Sequence, residues 1–180
     1  LILLVAVLGA LGWFFLPRTE MGPLPDLSEA APGDDPGVWL ATRESRHEDI
    51  VPGTEARILW ANGDGHRTDW ALVYLHGFSA SSEEIRPVPE EVARALGANL
   101  LYTRLTGHGR DGEALGAATA TDWAQDLVDA IAAANALGDR VALIGTSTGA
   151  TLAAIAAPDP DLTEEIDAVA MVSPNFGVRN

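Results

Sequence analysis

One serine lies in a pattern that suits a catalytic nucleophile. Ser147 is the centre of the sequence GTSTG at 145–149, which follows the apolar run 141–144 and precedes a run of small residues. A Gly-x-Ser-x-Gly sequence between a strand and a helix is typical of a nucleophile elbow, where Gly145 and Gly149 let the two elements pass closely. The N-terminus of the following helix favours a developing oxyanion. The alternative is a Gly/Ser turn that serves packing alone.

A second motif follows a predicted strand upstream of the serine. Residues 72–75 are apolar and suit a buried parallel strand, and His76 and Gly77 follow it at the same edge of the sheet. Acyl transfer needs two N–H donors for the tetrahedral intermediate, one from the residue after the nucleophile and one from the loop after an earlier strand. The pattern assigns these roles to Thr148 and Phe78. His76 could act as a base, but a histidine on such a loop more often braces it by hydrogen bonds.

These motifs resemble those of the α/β-hydrolase superfamily, and the sequence is most similar to its microbial carboxylesterases and monoacylglycerol lipases. The resemblance covers about residues 55–175 and is carried by His76-Gly77-Phe78-Ser79, by TRLTGHG at 103–109, by Thr121-Asp122-Trp123 with Asp126, and by residues 145–149. It implies an α/β-hydrolase fold with a mostly parallel sheet and helices on both faces.

The same resemblance implies a serine hydrolase that cleaves carboxylic esters through an acyl-enzyme on Ser147. It makes Phe78 and Thr148 the oxyanion-hole donors. Four further residues are expected to line the site: His76, Gly77, Gly145 and Gly149. The resemblance gives His108 a structural role in the loop that borders the site, and Trp123 is expected to anchor its helix in the core.

The sequence after the serine departs from the family pattern. Family members carry the triad in the order Ser, Asp/Glu, His, whereas all four histidines of this chain precede Ser147. A serine hydroxyl without a base is a poor nucleophile at neutral pH. We therefore expect a C-terminally incomplete hydrolase that is inactive by itself. The alternative is a non-catalytic hydrolase-like domain for binding or scaffolding, if the protein ends at Asn180.

The first 37 residues predict two segments outside the catalytic domain. Residues 1–16 are apolar and uncharged, which predicts a truncated transmembrane anchor or, alternatively, a signal segment. Residues 17–37 are rich in Pro and Gly and predict an extended linker with nothing to bury. Residues 38–180 would form the N-terminal part of the catalytic domain. We expect this domain to be membrane-anchored and extracytoplasmic or, after signal cleavage, secreted or periplasmic.

Composition narrows the range of partners. The chain has 11 basic and 26 acidic residues and a net charge of −15, which argues against nucleic acid and against docking on anionic lipid. It has no cysteine, no histidine cluster with metal-ligand spacing and no phosphate-binding glycine loop, so we expect neither a metal nor a cofactor. The expected partners are a small-molecule or lipid-like ester and, through the N-terminal segment, the membrane.

Strand and helix patterns alternate along the chain. Strands are predicted at 56–60, 71–75, 99–102, 140–144 and 168–172, with the first two as neighbours joined by a turn at 62–65. Helices are predicted in the second half of 83–96 and from Asp122 to Gly138, where Asp122 and Gln125 resemble a capping box. This alternation predicts a parallel sheet covered by helices on both faces.

Overall fold

The computed structural model describes residues 22–27, 35–63 and 65–176. Within them the strands are β1 Arg57–Leu59, β2 Thr68–Leu75, β3 Asn99–Tyr102, β4 Gly138–Thr146 and β5 Ala168–Val172. The α-helices are α1 Pro36–Glu44, α2 Val88–Leu96, α3 Gly112–Ala117, α4 Ala120–Leu137 and α5 Thr148–Ala156, and a short 3-10 helix covers Thr163–Glu165. The bounds of β3 and β5 are those predicted from the sequence.

The strands form one sheet in the order β1-β3-β2-β4-β5, in which β1 is antiparallel to β3 and the other pairs are parallel. The predicted α/β fold with a mostly parallel sheet is confirmed. The predicted pairing of the first two strands is wrong, because β3 lies between them. β2 is long and apolar, and both of its faces are buried because it lies at the centre of the sheet. The three-residue β1 lies at the edge of the sheet.

Two apolar clusters lie on opposite faces of the sheet. Val73 and Leu75 of β2 belong to the larger cluster, whereas Leu72 and Tyr74 belong to the smaller one, as the alternation of side chains along a strand requires. Side chains of α4 and α5 complete the larger cluster, and α2 contributes to the smaller one. Helices therefore cover both faces, as predicted.

The helix ends follow local sequence signals. The helix α2 begins at Val88, where prolines delay its start, and α4 ends at Gly138, as predicted. The capping box of α4 begins three residues earlier than predicted. Thr119 caps the helix, and its backbone N–H donates to the Asp122 carboxylate over 2.8 Å. Asp122 thus occupies the N3 position of the box and is not its N-cap.

The predicted N-terminal segments are covered only in part. Residues 1–16 lie outside the described residues, and none of the helices that are described is long and apolar enough to span a bilayer. The helix α1 begins at Pro36, inside the predicted linker 17–37. Leu24 and Leu27 pack against the larger apolar cluster. This part of the linker therefore buries apolar surface, which differs from the prediction that it has nothing to bury.

Candidate active site

Ser147 occupies the sharp turn between β4 and α5. Its φ is 50° and its ψ is −111°, a backbone conformation that residues with a side chain rarely adopt. The Ser147 N–H donates to the carbonyl of Val172 on β5 over 2.9 Å, and the Ser147 carbonyl accepts from the Thr151 N–H over 3.0 Å. The hydroxyl does not cap α5. Backbone hydrogen bonds to β5 and within α5 thus hold the strained turn. The Ser147 side chain takes no part in capping α5.

Two glycines permit this turn because backbone passes where a side chain would stand. A Cβ at Gly145 would lie 2.5 Å from the Ala150 nitrogen. A Cβ at Gly149 would overlap the carbonyl oxygen of Leu75 and lie 2.7 Å from that of His76. The spacing of the glycines around the serine therefore reflects two backbone contacts, one within the elbow and one between α5 and the end of β2.

The loop after β2 runs beside Ser147. We name residues 76–79 the oxyanion loop, after the role predicted for Phe78. A Cβ at Gly77 would lie 3.3 Å from the Cβ of Ser147, so the backbone of this loop borders the serine directly. Phe78 follows and is 57% exposed. Thr148 is the first residue of α5, and the first N–H groups of a helix have no partner within it. The structure thus brings together both predicted donor residues and the serine.

His76 is fully buried and uses both ring nitrogens within the protein. Its Nε2 accepts a hydrogen bond from the Leu105 N–H over 3.1 Å, so the ring proton is on Nδ1, which donates to the Gly77 carbonyl over 2.9 Å. Burial lowers the pKa of His76 to about 4, with smaller contributions from nearby His108 and Arg104. A neutral ring with both nitrogens occupied suits a brace between loops, not a general base.

His108 makes the complementary connection. Its Nε2 accepts from the Ser79 N–H over 3.1 Å, and its Nδ1 lies 3.3 Å from the Thr106 carbonyl. Burial lowers the pKa of His108 as well. The two imidazole rings pack edge to face with centroids 4.7 Å apart. His76 and His108, the histidine brace, thus tie the oxyanion loop to the loop after β3, in keeping with the structural role expected of His108.

Aromatic side chains pack beside this brace. The ring of Phe78 lies 6.0 Å from that of His108 and 6.1 Å from that of Trp123, centroid to centroid. The indole N–H of Trp123 donates to the Thr106 carbonyl over 2.9 Å. Trp123 also packs against the larger apolar cluster. It anchors α4, as predicted, and additionally fixes the loop after β3.

Two ion pairs that the sequence analysis missed hold the same loop. Asp126 accepts from the Thr106 N–H over 2.5 Å and from Arg43 over 2.9 Å. Burial raises the pKa of Asp126, while the Thr106 N–H and Arg43 oppose that rise. Arg104 makes two hydrogen bonds of 2.9 Å to Glu44. The partners are 83 and 60 residues apart in sequence, and no local pattern signals such pairs.

Neither histidine beside the oxyanion loop serves as a base to Ser147. Every histidine of the sequence precedes it, and the ring nitrogens of His76 and His108 contact backbone groups. Across the ranges that the structure covers, no group of three or more His, Cys, Asp or Glu residues could hold a metal ion. The described residues therefore provide a strained serine turn, the oxyanion loop beside it and the residues that brace this loop.

This combination of a parallel sheet and a serine elbow at the end of a central strand defines a known class of proteins. The profile of the "Alpha/beta hydrolase family" matches residues 72–180, more than half of the chain. The chain therefore belongs to the α/β-hydrolase family. A comparison with curated protein sequences finds no match.

Solved structures share this fold. One reported for LipS and LipT, described as metagenome-derived lipolytic enzymes, is 27% identical with a TM-score of 0.63 and covers 73% of this chain and 50% of its own. DcsB, solved with a substrate analogue, is 21% identical with a TM-score of 0.53 and coverages of 73% and 46%. Est1E from Butyrivibrio proteoclasticus, solved with ferulic acid, is 22% identical with a TM-score of 0.50 and coverages of 71% and 53%.

The sequence identity of each structure to this chain limits what the similarity shows. At 21% and 22% identity, DcsB and Est1E support the fold alone. The chain spans about half the length of each of these structures. The predicted membership of the α/β-hydrolase superfamily is confirmed.

Proposed function

We propose that this chain is the nucleophile-bearing part of a serine hydrolase that cleaves carboxylic esters, of the carboxylesterase or monoacylglycerol-lipase type. The observation that carries the proposal is the backbone of Ser147, strained at φ 50° and placed beside the Gly77 backbone. Strain of this kind persists only where the surrounding structure holds it, and it concentrates at functional sites. The lipolytic description of the 27% identical LipS and LipT structure supports ester substrates.

In the proposed reaction Ser147 attacks the ester first, and backbone N–H groups then stabilise the negative charge that forms. The Ser147 Oγ attacks the ester carbonyl and loses its proton to a base, and the carbonyl oxygen becomes an oxyanion. The N–H groups of Phe78 and Thr148 stabilise this oxyanion. Collapse expels the alcohol and leaves an acyl-enzyme, which water then hydrolyses. Since the histidine brace is committed to backbone groups, we assign the base to neither His76 nor His108.

We also propose that residues 1–16 anchor the protein in a membrane with the catalytic domain on the extracytoplasmic side. The uncharged apolar run supports an anchor, and the acidic flank that follows is compatible with export. The alternative is a cleaved signal and a secreted or periplasmic enzyme. In either case the substrate would be a small or lipid-like ester.

The proposed nucleophile can be tested with a fluorophosphonate probe on the protein expressed from its whole gene. Such a probe needs an activated serine facing an oxyanion hole, so Ser147 should be labelled. Ser147→Ala should abolish labelling and lower ester hydrolysis by several orders of magnitude. Ser173→Ala is the matched control, because Ser173 has the same φ of 50° but no flanking glycine pair.

The outcomes separate the two functional readings. Labelling of the wild type and of Ser173→Ala, but not of Ser147→Ala, would support the serine hydrolase. A whole-gene product that binds no probe and hydrolyses no ester would favour the non-catalytic hydrolase-like domain. Labelling that survives Ser147→Ala would overturn the site assignment.

A further inference from the structure

We propose that Glu84 is a positioning residue for ester hydrolysis, which holds the oxyanion loop through the Gly77 N–H. The inference rests on the proposed function above, since the loop matters only if an oxyanion forms there. Glu84 precedes α2 and is part of no predicted motif. Its carboxylate nevertheless lies at the same edge of the sheet as Ser147.

The contacts of Glu84 join the loop to the strand of the nucleophile. Its Oε2 accepts from the Gly77 N–H over 2.8 Å and from the Tyr74 hydroxyl over 3.0 Å. The Tyr74 hydroxyl also lies 3.1 Å from Oγ1 of Thr146, the residue before the nucleophile. One carboxylate oxygen thus closes a hydrogen-bonded chain from the oxyanion loop to the end of β4.

Gly77 lies between the carboxylate and the nucleophile. A Cβ at Gly77 would be 2.8 Å from Oε1 of Glu84 and 3.3 Å from the Cβ of Ser147. Because the Gly77 N–H donates to Glu84, the orientation of the peptide between His76 and Gly77 is fixed. The next N–H along the chain belongs to Phe78 and is a proposed oxyanion donor. An oxyanion hole accelerates the reaction only when its donors are oriented before charge develops. Glu84 would supply that orientation from outside the hole.

Tyr74 is a rigidly held member of this series of hydrogen bonds. Its side chain is fully buried and packs edge to face on Tyr102 with ring centroids 5.7 Å apart. Burial raises the pKa of Tyr74, so its hydroxyl keeps its proton and remains a donor. A buried tyrosine hydroxyl needs hydrogen-bond partners, and Glu84 and Thr146 are those partners. Glu84 itself is exposed, so its replacement should cost little folding stability.

The experiment compares kinetic constants and melting temperatures of variants of the protein expressed from its whole gene, with a soluble p-nitrophenyl ester as substrate. Glu84→Ala removes the acceptor and should lower kcat about tenfold with KM changed by less than about twofold, because loss of a whole oxyanion donor costs about 10²–10³. Glu84→Gln keeps an oxygen acceptor and should restore kcat to within about threefold of the wild type. Glu91→Ala, an exposed acidic residue in the first turn of α2, is the matched control for charge and should change neither constant.

The results distinguish this inference from the proposed function. If the wild type hydrolyses the ester and Glu84→Ala has an unchanged kcat, the positioning role is wrong while the serine hydrolase stands. If Glu84→Gln is as slow as Glu84→Ala, the charge and not the hydrogen bond matters, and the proposal is also overturned. If the wild type is inactive and unlabelled, the proposed function fails first. A kcat loss in Glu84→Ala that Glu84→Gln restores, at an unchanged melting temperature, supports it.

Discussion

Ser147 shows how a single residue can be placed by its neighbours rather than by its own preferences. A non-glycine residue at positive φ costs about 1–3 kcal/mol, and such strain persists only when surrounding contacts fix it. Here the fixing contacts are the backbone hydrogen bonds to β5 and within α5. The glycines on either side remove the steric obstacle to those contacts. The elbow is therefore a property of five residues acting together.

Replacing Gly149 by alanine should destabilise the fold and impair the site. The new Cβ would overlap backbone at the end of β2, which cannot move without shifting the oxyanion loop. Overpacking of this kind typically costs 1–3 kcal/mol, and we expect at least about 2 kcal/mol in urea unfolding. Probe labelling of Ser147 should fall in parallel.

Gly116→Ala provides the control for this substitution. Gly116 lies within α3, and a Cβ there would meet nothing within 4 Å. A helical glycine replaced by alanine should raise stability by about 0.5–1 kcal/mol. Equal effects of the two substitutions would contradict the proposed backbone contact at Gly149.

At the scale of elements, two loops carry the site and a few long-range contacts hold them. The oxyanion loop and the loop after β3 are joined by the histidine brace, and the second loop is fixed further by Asp126 and Arg104. Loops that carry function usually depend on a rigid scaffold beneath them. In this chain the scaffold reaches the loops through buried polar side chains, not through apolar packing alone.

The depressed pKa of His76 predicts that acid destabilises the protein. In the unfolded chain His76 takes up a proton near its ordinary pKa of 6.5, whereas in the folded state it does so near about 4. Between these values the unfolded state binds more protons, so stability falls as pH falls. His76 contributes fully above pH 6.5, and the loss on reaching about pH 4 is on the order of 3 kcal/mol.

Urea unfolding of wild type and His76→Gln at a series of pH values between 7.5 and 4.5 would measure this contribution. The variant should be less stable at pH 7.5, because it loses the fitted brace, but its stability should decline less steeply towards acid. Replacement of the exposed His66 by glutamine controls for the change of side chain. An unchanged slope in His76→Gln would show that other groups dominate acid destabilisation.

The elements that could be predicted from sequence are those with a local signal. β3 and β5 are short apolar runs with polar borders, and the prolines before α2 and the glycine after α4 mark helix ends. The pairing partner of β1 could not be predicted from a local signal, because pairing depends on which strands occupy the buried centre of the sheet. Two braces of the site also lacked a signal. Arg43 and Asp126 are 83 residues apart in sequence, and the loop contact of Glu84 with the Gly77 N–H, seven residues earlier, follows no periodic pattern.

At the scale of the whole molecule, the candidate site lies where the parallel strands end. His76 follows β2, Thr103 follows β3, Ser147 follows β4 and Ser173 follows β5. In parallel sheets these carboxyl ends meet at one edge, which is where α/β proteins place ligands. The topology therefore explains why motifs about 70 residues apart converge, and why a serine elbow and an oxyanion loop can be found from sequence once the strands are known.

The negative charge of the chain argues against electrostatic attachment to a membrane. With a net charge of −15 the protein should be repelled by anionic lipid, so any stable attachment has to come from apolar burial. Residues 1–16 are the uncharged apolar segment of the sequence, and they lie outside the described residues. Burial of apolar surface is insensitive to salt, whereas ionic attachment weakens as salt screens it.

The anchor proposal predicts that the protein expressed from its whole gene sediments with membranes, remains there in about 1 M salt and is released by detergent, because salt at that concentration screens charges within roughly 3 Å. Deleting residues 1–16 should move the protein to the soluble fraction. Deleting residues 28–34, a part of the linker outside the described ranges, should leave the fractionation unchanged. Recovery of a soluble mature protein that begins near Ala31 would instead establish a cleaved signal, and release of the wild type by salt alone would contradict apolar anchoring.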